Sequence, residues 1–290
     1  MAITYSFSNI VRSHYFELIK IEVTRFVESP SCRFNIHSRS VENINKISVS
    51  SIELRSINPY DSLDDKLIFA IDIEVKLELF GFSYGRASKD KISKWLNAVC
   101  EVKLRDDFKD FQIKYVSEYR KPSQRSRLDD FLIPFIREKD LDKQAESILK
   151  KYYSEALLAP TRIDVRLFAG RLGLKIIETC LSDDHSILGQ MIFHDCKVEI
   201  YGIDKDGISP LKVERGTILI DPNIRYLRAA NSWNNTIIHE CIHWLKHRKH
   251  FELVKMHNGT AGRIACMVSN VYFELPQNAK IKVAKPAKNQ

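Results

Sequence analysis

A chain of 290 residues, 44% hydrophobic and 28% charged, has the make-up of a folded protein large enough for two cores, which excludes a fibrous or a disordered chain. Lys and Arg outnumber Asp and Glu by 45 to 37, a net charge of +8 that admits acidic partners such as nucleic acid, yet no basic arm concentrates it. No apolar run reaches the roughly 18 residues that cross a bilayer, and the first residues lack the basic segment and apolar stretch of a signal peptide.

The N-terminal region reads as antiparallel β structure. Over residues 69–79, Phe69, Ile71, Ile73, Val75, Leu77 and Leu79 alternate with Ala70, Asp72, Glu74, Lys76 and Glu78, so one face enters a core and the other meets water. Cys100, Val102 and Leu104 alternate likewise, as do Phe111, Ile113 and Tyr115, with Arg105, Asp106 and Asp107 suited to the turn between them. A weaker strand is predicted over residues 47–54, and residues 10–27 fit helix and strand equally well. The basic, proline-containing stretch 119–127 marks a boundary, giving a β-rich domain over residues 1–125 that is a candidate for docking a partner.

Beyond it, short helices and strands are expected, an α+β pattern. Asp140 is placed to cap a helix bearing Leu141, Ala145, Ile148, Leu149 and Tyr152. Asp164 is placed to cap a second helix, ended by Gly173 and followed by a strand over residues 174–177. Residues 190–193 and 197–201 suggest a hairpin turning at His194, Asp195 and Cys196, and residues 217–220 another strand. The six cysteines form no CxxC pair, so they are expected to be free thiols in the reducing cytoplasm.

Residues 236–247 have the spacing of a helix packed on one side, with Ile237, Ile238, Cys241, Ile242 and Leu245 inward and Asn234 or Asn235 at its start. The helix carries His239-Glu240-Cys241-Ile242-His243, an HExxH motif. Two histidines four residues apart project from one face and can share a zinc ion, while Glu240, one step around, is placed to act as general base and acid. Cys241 falls on the apolar face and reads as an inert thiol, and there is no GxSxG elbow or Gly-rich phosphate loop.

The stretch Asn234-Asn-Thr-Ile-Ile-His-Glu-Cys-Ile-His-Trp-Leu-Lys-His-Arg-Lys-His250 resembles the active helix of ImmA/IrrE-type zinc metallopeptidases. Residues 145–158, 163–174, 189–193 and 216–222 resemble the family's preceding elements, so the likeness spans roughly residues 130–268. It implies a zincin-like metallopeptidase domain over residues 126–270, followed by a tail over 271–290. It further implies a cytoplasmic zinc-dependent endopeptidase that cuts a helix-turn-helix transcriptional repressor, His239 and His243 binding Zn2+ and Glu240 activating water.

The family's third ligand, a Glu on a later helix followed by Ala-Asn, has no clear counterpart. After His243 the only acidic residues are Glu252 and Glu274. Glu252 is ~13 Å along a continuing helix, too far to share the ion, and His247 is ~12 Å from His239. Glu274, in Phe273-Glu-Leu-Pro-Gln-Asn-Ala279, faintly echoes the family pattern and is the candidate third ligand, although Pro276 disfavours a helical interior there, and a non-standard residue completing the site is the other option. His247 and His250 are expected to be surface residues. The alternative is a relative lacking the final helix, acting as a non-catalytic module that binds a repressor or DNA.

Overall fold

The computed structural model describes residues 6–29, 36–61, 63, 65–104, 108, 110–120, 128–201, 207–229, 231–258, 263–267 and 271–273. The chain is mixed α+β, with mainly antiparallel sheets, and divides into two compact units, Met1–Glu138 and Lys139–Gln290.

The ambiguous opening stretch is helical. Helix α1 (Phe7–Ile10) is capped by the Ser6 side chain, which accepts from the Asn9 amide, and runs through a π turn (Val11–Tyr15) into α2 (Phe16–Glu28). Ile19, Val23 and Val27, four residues apart, form the buried stripe of α2. Four antiparallel strands follow, β1 (Asn43–Pro59), β2 (Lys66–Ser83), β3 (Arg86–Lys103) and β4 (Gln112–Glu118), hydrogen-bonded in chain order. The period-2 face of β2 is wholly inward: Phe69, Ile71, Ile73, Val75, Leu77 and Leu79 are fully buried. On the other face Asp72 is also buried, and accepts hydrogen bonds from Ser56 and from Asn97 Nδ2 at 2.9 Å.

The pairing of β3 with β4 departs from simple alternation. An irregularity between Val99 and Cys100 places Ile113 opposite Cys100 but Tyr115 opposite Val99. The extra residue flips the phase, so Tyr115 faces outward with 57% of its surface exposed, although Phe111, Ile113 and Tyr115 were expected on one inner face. The expected turn at Arg105, Asp106 and Asp107 lies outside the described residues. The first unit also continues to Glu138, past the expected boundary at 125, because Leu128 and Leu132 are buried in it.

The second unit begins with α3 (Leu141–Tyr152), whose N-cap is Asp140, but the Asp140 side chain makes no capping hydrogen bond. Helix α4 (Val165–Arg171) is capped as expected, Asp164 accepting from the Arg166 and Leu167 amides at 3.0 and 3.1 Å. Gly173, at φ 71°, turns the chain into β5 (Lys175–Glu178). There follow β6 (Ile187–Ile192), β7 (Cys196–Tyr201), β8 (Ile208–Val213), β9 (Thr217–Ile220), α5 (Ile224–Leu227), α6 (Ser232–Asn258), β10 (Arg263–Met267) and β11 (Val271–Phe273). Five strands form one sheet in the order β11-β10-β6-β9-β5, in which only β5 and β9 run parallel.

The expected hairpin of residues 190–193 with 197–201 is not formed. Strand β6 is flanked on both sides, by β9 and β10, so β7 pairs with β8 in a separate ribbon. Strand β11 occupies the start of the expected tail. Helix α6 starts at Ser232, which places Asn234 and Asn235 inside its first turn instead of at its cap. It packs on the sheet through Ile237, Cys241 and Leu245, all fully buried, while Phe193 stacks between Trp244 and Phe251 at 6.0 and 4.3 Å.

Candidate metal centre

Helix α6 brings His239 and His243 together as their spacing requires. Their Nε2 atoms are 2.8 Å apart and the rings meet edge to face. His239 lines a cleft of about 770 Å³, together with Arg162, Ile163, Asn235, Ile238 and Ile242, and His243 lies buried behind it. Ile238 and Ile242, expected in the core, therefore belong to the cleft wall. Around a tetrahedral zinc with Zn–N of 2.0–2.1 Å, two nitrogen donors stand about 3.3 Å apart, so a small outward swing of either ring would admit the ion. Burial lowers the His239 imidazole, and burial with its two histidine neighbours lowers His243 to about 3. Both rings are thus held neutral, the form that ligates a metal.

His247 does not join this pair. It meets His243 on the opposite side of the ring, Nδ1 to Nδ1 at 2.9 Å, so three imidazoles form a chain with no common centre. Neither His247 nor His250 is the surface residue expected; His250 is only 7% exposed. Glu252 is turned to Arg215 at 3.0 Å. Glu274 lies outside the described residues.

Glu240 is fully buried and does not line the cleft. Neither carboxylate oxygen makes a hydrogen bond of good geometry, and burial pushes the carboxyl up to about 8, a nearby Met191 backbone group offsetting only part of this. Its side chain lies over Gly189 of β6. A Cβ at that position would stand 2.6 Å from Thr236 Cγ2 and 3.3 Å from Glu240 Oε1, so glycine is what lets the strand approach the motif.

A second cluster was not anticipated from the sequence. Cys180, His185 and Asp221 are, among the described residues, a group of three whose donor atoms lie close enough to hold a metal ion. Cys180 follows β5 and Asp221 follows β9, so the aligned ends of two parallel strands set them side by side. His185 sits between β5 and β6 at φ 53°, an uncommon backbone conformation for a residue with a Cβ, and its Nδ1 is 2.8 Å from Asp221 Oδ2. Burial first, then the Asp221 charge, raises the Cys180 thiol above its ordinary value. Cys100 and Cys241, also buried, are pushed to about 12, by burial in both and by the Glu240 charge in Cys241, which disfavours the thiolate form.

Compared with known families, curated proteins and solved structures, the chain matches no family model, no curated protein and no solved structure. No described helix is long and apolar enough to cross a membrane.

Proposed function

We propose that the chain is a zinc-dependent endopeptidase of zincin type, acting in the cytoplasm on a helix-turn-helix repressor. The observation that carries this reading is the convergence of the His239 and His243 Nε2 atoms at 2.8 Å beside an open cleft. A zinc ion held there would supply Lewis acidity, polarising a peptide carbonyl and lowering the pKa of water. His239 and His243 present neutral nitrogens, and Glu240 is the base, its raised pKa suiting proton exchange near neutrality. Asn235 and Arg162 line the cleft and would hold a peptide backbone there. Glu274 is the proposed third ligand.

A second reading is favoured by one specific observation. Glu240 is fully buried beside Gly189 and is absent from the cleft lining. A chain that kept this arrangement with metal bound would be a non-catalytic regulator, using the cleft and its net charge of +8 to bind a repressor or DNA.

Metal analysis of the purified chain decides between them when joined to a cleavage assay. The peptidase reading expects zinc at the motif, lost in His243→Ala, and an activity on a helix-turn-helix repressor that Glu240→Gln abolishes without loss of that zinc. Cleavage surviving Glu240→Gln, or zinc content indifferent to His243→Ala, would overturn it. Zinc retained without cleavage of any repressor offered would move the assignment to the regulator.

A further inference from the structure

Three side chains at the strand ends of the second unit make a site of a different kind from the paired histidines. Cys180 Sγ is 3.7 Å from His185 Nδ1 and 3.8 Å from Asp221 Oδ2, and those last two atoms are 2.8 Å apart. Around a tetrahedral zinc, with bonds of about 2.3 Å to sulfur and 2.0–2.2 Å to nitrogen and oxygen, the corresponding separations are about 3.5 Å for sulfur to each neighbour and about 3.3 Å between nitrogen and oxygen. The observed triangle is therefore close to one face of such a tetrahedron, needing only a small opening of the His–Asp pair.

The same distances argue against a nucleophile triad. In a Cys–His–Asp relay the imidazole takes the thiol on one nitrogen and the carboxylate on the other, so that a proton can cross the ring. Here thiol and carboxylate approach the same atom, Nδ1. The thiol, which also lies 3.3 Å from Ser182 O, and the carboxylate meet at one ring nitrogen, an arrangement that suits a shared ion better than a relay across the ring.

The surroundings brace that convergence. The Asn223 backbone amide donates to Asp221 Oδ1 at 2.8 Å, fixing the carboxylate so that Oδ2 alone faces the cluster. The Asp221 amide donates to Leu188 O and the Tyr201 amide to Cys180 O, at 3.0 Å each, tying both ligand-bearing backbones to neighbouring elements. The loop between Cys180 and His185 is closed by its own contacts: the His185 amide donates to Ser182 O at 3.2 Å, and the Ile187 amide to Ser182 Oγ at 3.1 Å. Support of this kind around the ligands is what holds a metal site in shape. Asp221 is fully buried and Cys180 is 7% exposed, whereas His185 opens onto a pocket of about 290 Å³ that also takes in Asp184, Leu188 and Arg228.

We propose that Cys180, His185 and Asp221 form a second metal site, separate from the HExxH pair, for a borderline-soft divalent cation of the zinc class. Thiolate, imidazole and carboxylate together select zinc or cobalt over magnesium or calcium, which take oxygen donors. Bound there, the ion would pin the loop that follows β5 to the end of β9.

Cobalt(II) titrated into the full chain under reducing, metal-free conditions tests the assignment, since a thiolate ligand adds a charge-transfer absorption in the near ultraviolet that a histidine pair cannot give. The band is expected in the wild type and in His243→Ala and Cys241→Ser, and lost in Cys180→Ser and Asp221→Asn. Because His243→Ala is expected to keep it, failure of the peptidase reading and failure of this site are separately visible. No band in the folded wild type, or a band that survives Cys180→Ser, would overturn the proposal. Should Cys180→Ser not fold, alkylation of the native chain decides: protection of Cys180 by added zinc supports the site, and equal labelling with and without zinc overturns it.

Discussion

At Gly189 the absence of a single carbon atom governs how the motif is packed. A Cβ there would come within 2.6 Å of Thr236 Cγ2, a separation side chains do not tolerate, and the threonine methyl is too short to swing clear. Gly189→Ala is therefore expected to destabilise the second unit by about 1–3 kcal/mol, as overpacking does, read as a lower urea midpoint. Adding Thr236→Ser removes the methyl and should restore most of the loss; a single variant as stable as the wild type would show that β6 can retreat freely. Residue-level legibility divides along the same line. His239, Glu240 and His243 could be picked out because a helix converts a four-residue spacing into a shared face, a purely local rule. Cys180, His185 and Asp221 could not, because 36 residues separate His185 from Asp221 and only the pairing of β9 with both β5 and β6 brings them together. No period or motif encodes that meeting. The burial of Glu240 was equally hidden, since it depends on a glycine in a distant strand.

At the scale of elements, the strands of the first unit were readable wherever one face is core and the other water, as in β2, and misread where a bulge changed the phase, as at Tyr115. The hairpin assigned to residues 190–201 failed for a related reason: alternation says which residues point inward but not which strand lies alongside. What takes the place of that hairpin is a link between the end of β6 and helix α6. His194 Nε2 donates to Phe251 O at 3.0 Å, and burial lowers the ring to about 4, with Arg215 and Lys255 adding to the effect and the Phe251 carbonyl and Asp195 opposing it. Glu252 also faces it at 3.9 Å, but that carboxylate is engaged by Arg215. A histidine whose folded pKa lies below its unfolded value of about 6.5 favours the neutral state, so the unfolded chain binds more protons between the two values. The contribution is complete above about pH 6.5 and lost as pH falls toward 4. Between pH 7 and pH 5 the wild type should lose about 2 kcal/mol more unfolding free energy than His194→Gln, whose amide can still donate to Phe251. Equal losses would mean that His194 is already charged in the folded protein.

For the molecule as a whole, the division into Met1–Glu138 and Lys139–Gln290 gives each part its own core. That of the first unit is assembled from both ends of its sequence. Phe7 packs edge-on against Phe69 with ring centres 5.0 Å apart, and its amide donates to Asp130 O at 2.8 Å. The Ser8 amide and hydroxyl both donate to the Asp130 carboxylate, at 2.9 and 2.5 Å. Asp130 thus completes the start of α1, while Leu128 and Leu132 beside it are buried. Composition could suggest a boundary near the basic stretch, but not that the segment after it returns to cover the first helix, because that contact spans 122 residues. A chain of residues 1–138 is accordingly expected to unfold in urea as a single cooperative transition, with the β-rich circular dichroism of its four strands. A chain ending at residue 120 should be less stable by at least about 3 kcal/mol, having lost charge-assisted hydrogen bonds worth about 1.5–3 kcal/mol each and two buried leucines. Equal stability of the two lengths would show that α1 docks without Asp130. Failure of the longer chain to fold would show that the first unit draws its stability from residues beyond Glu138.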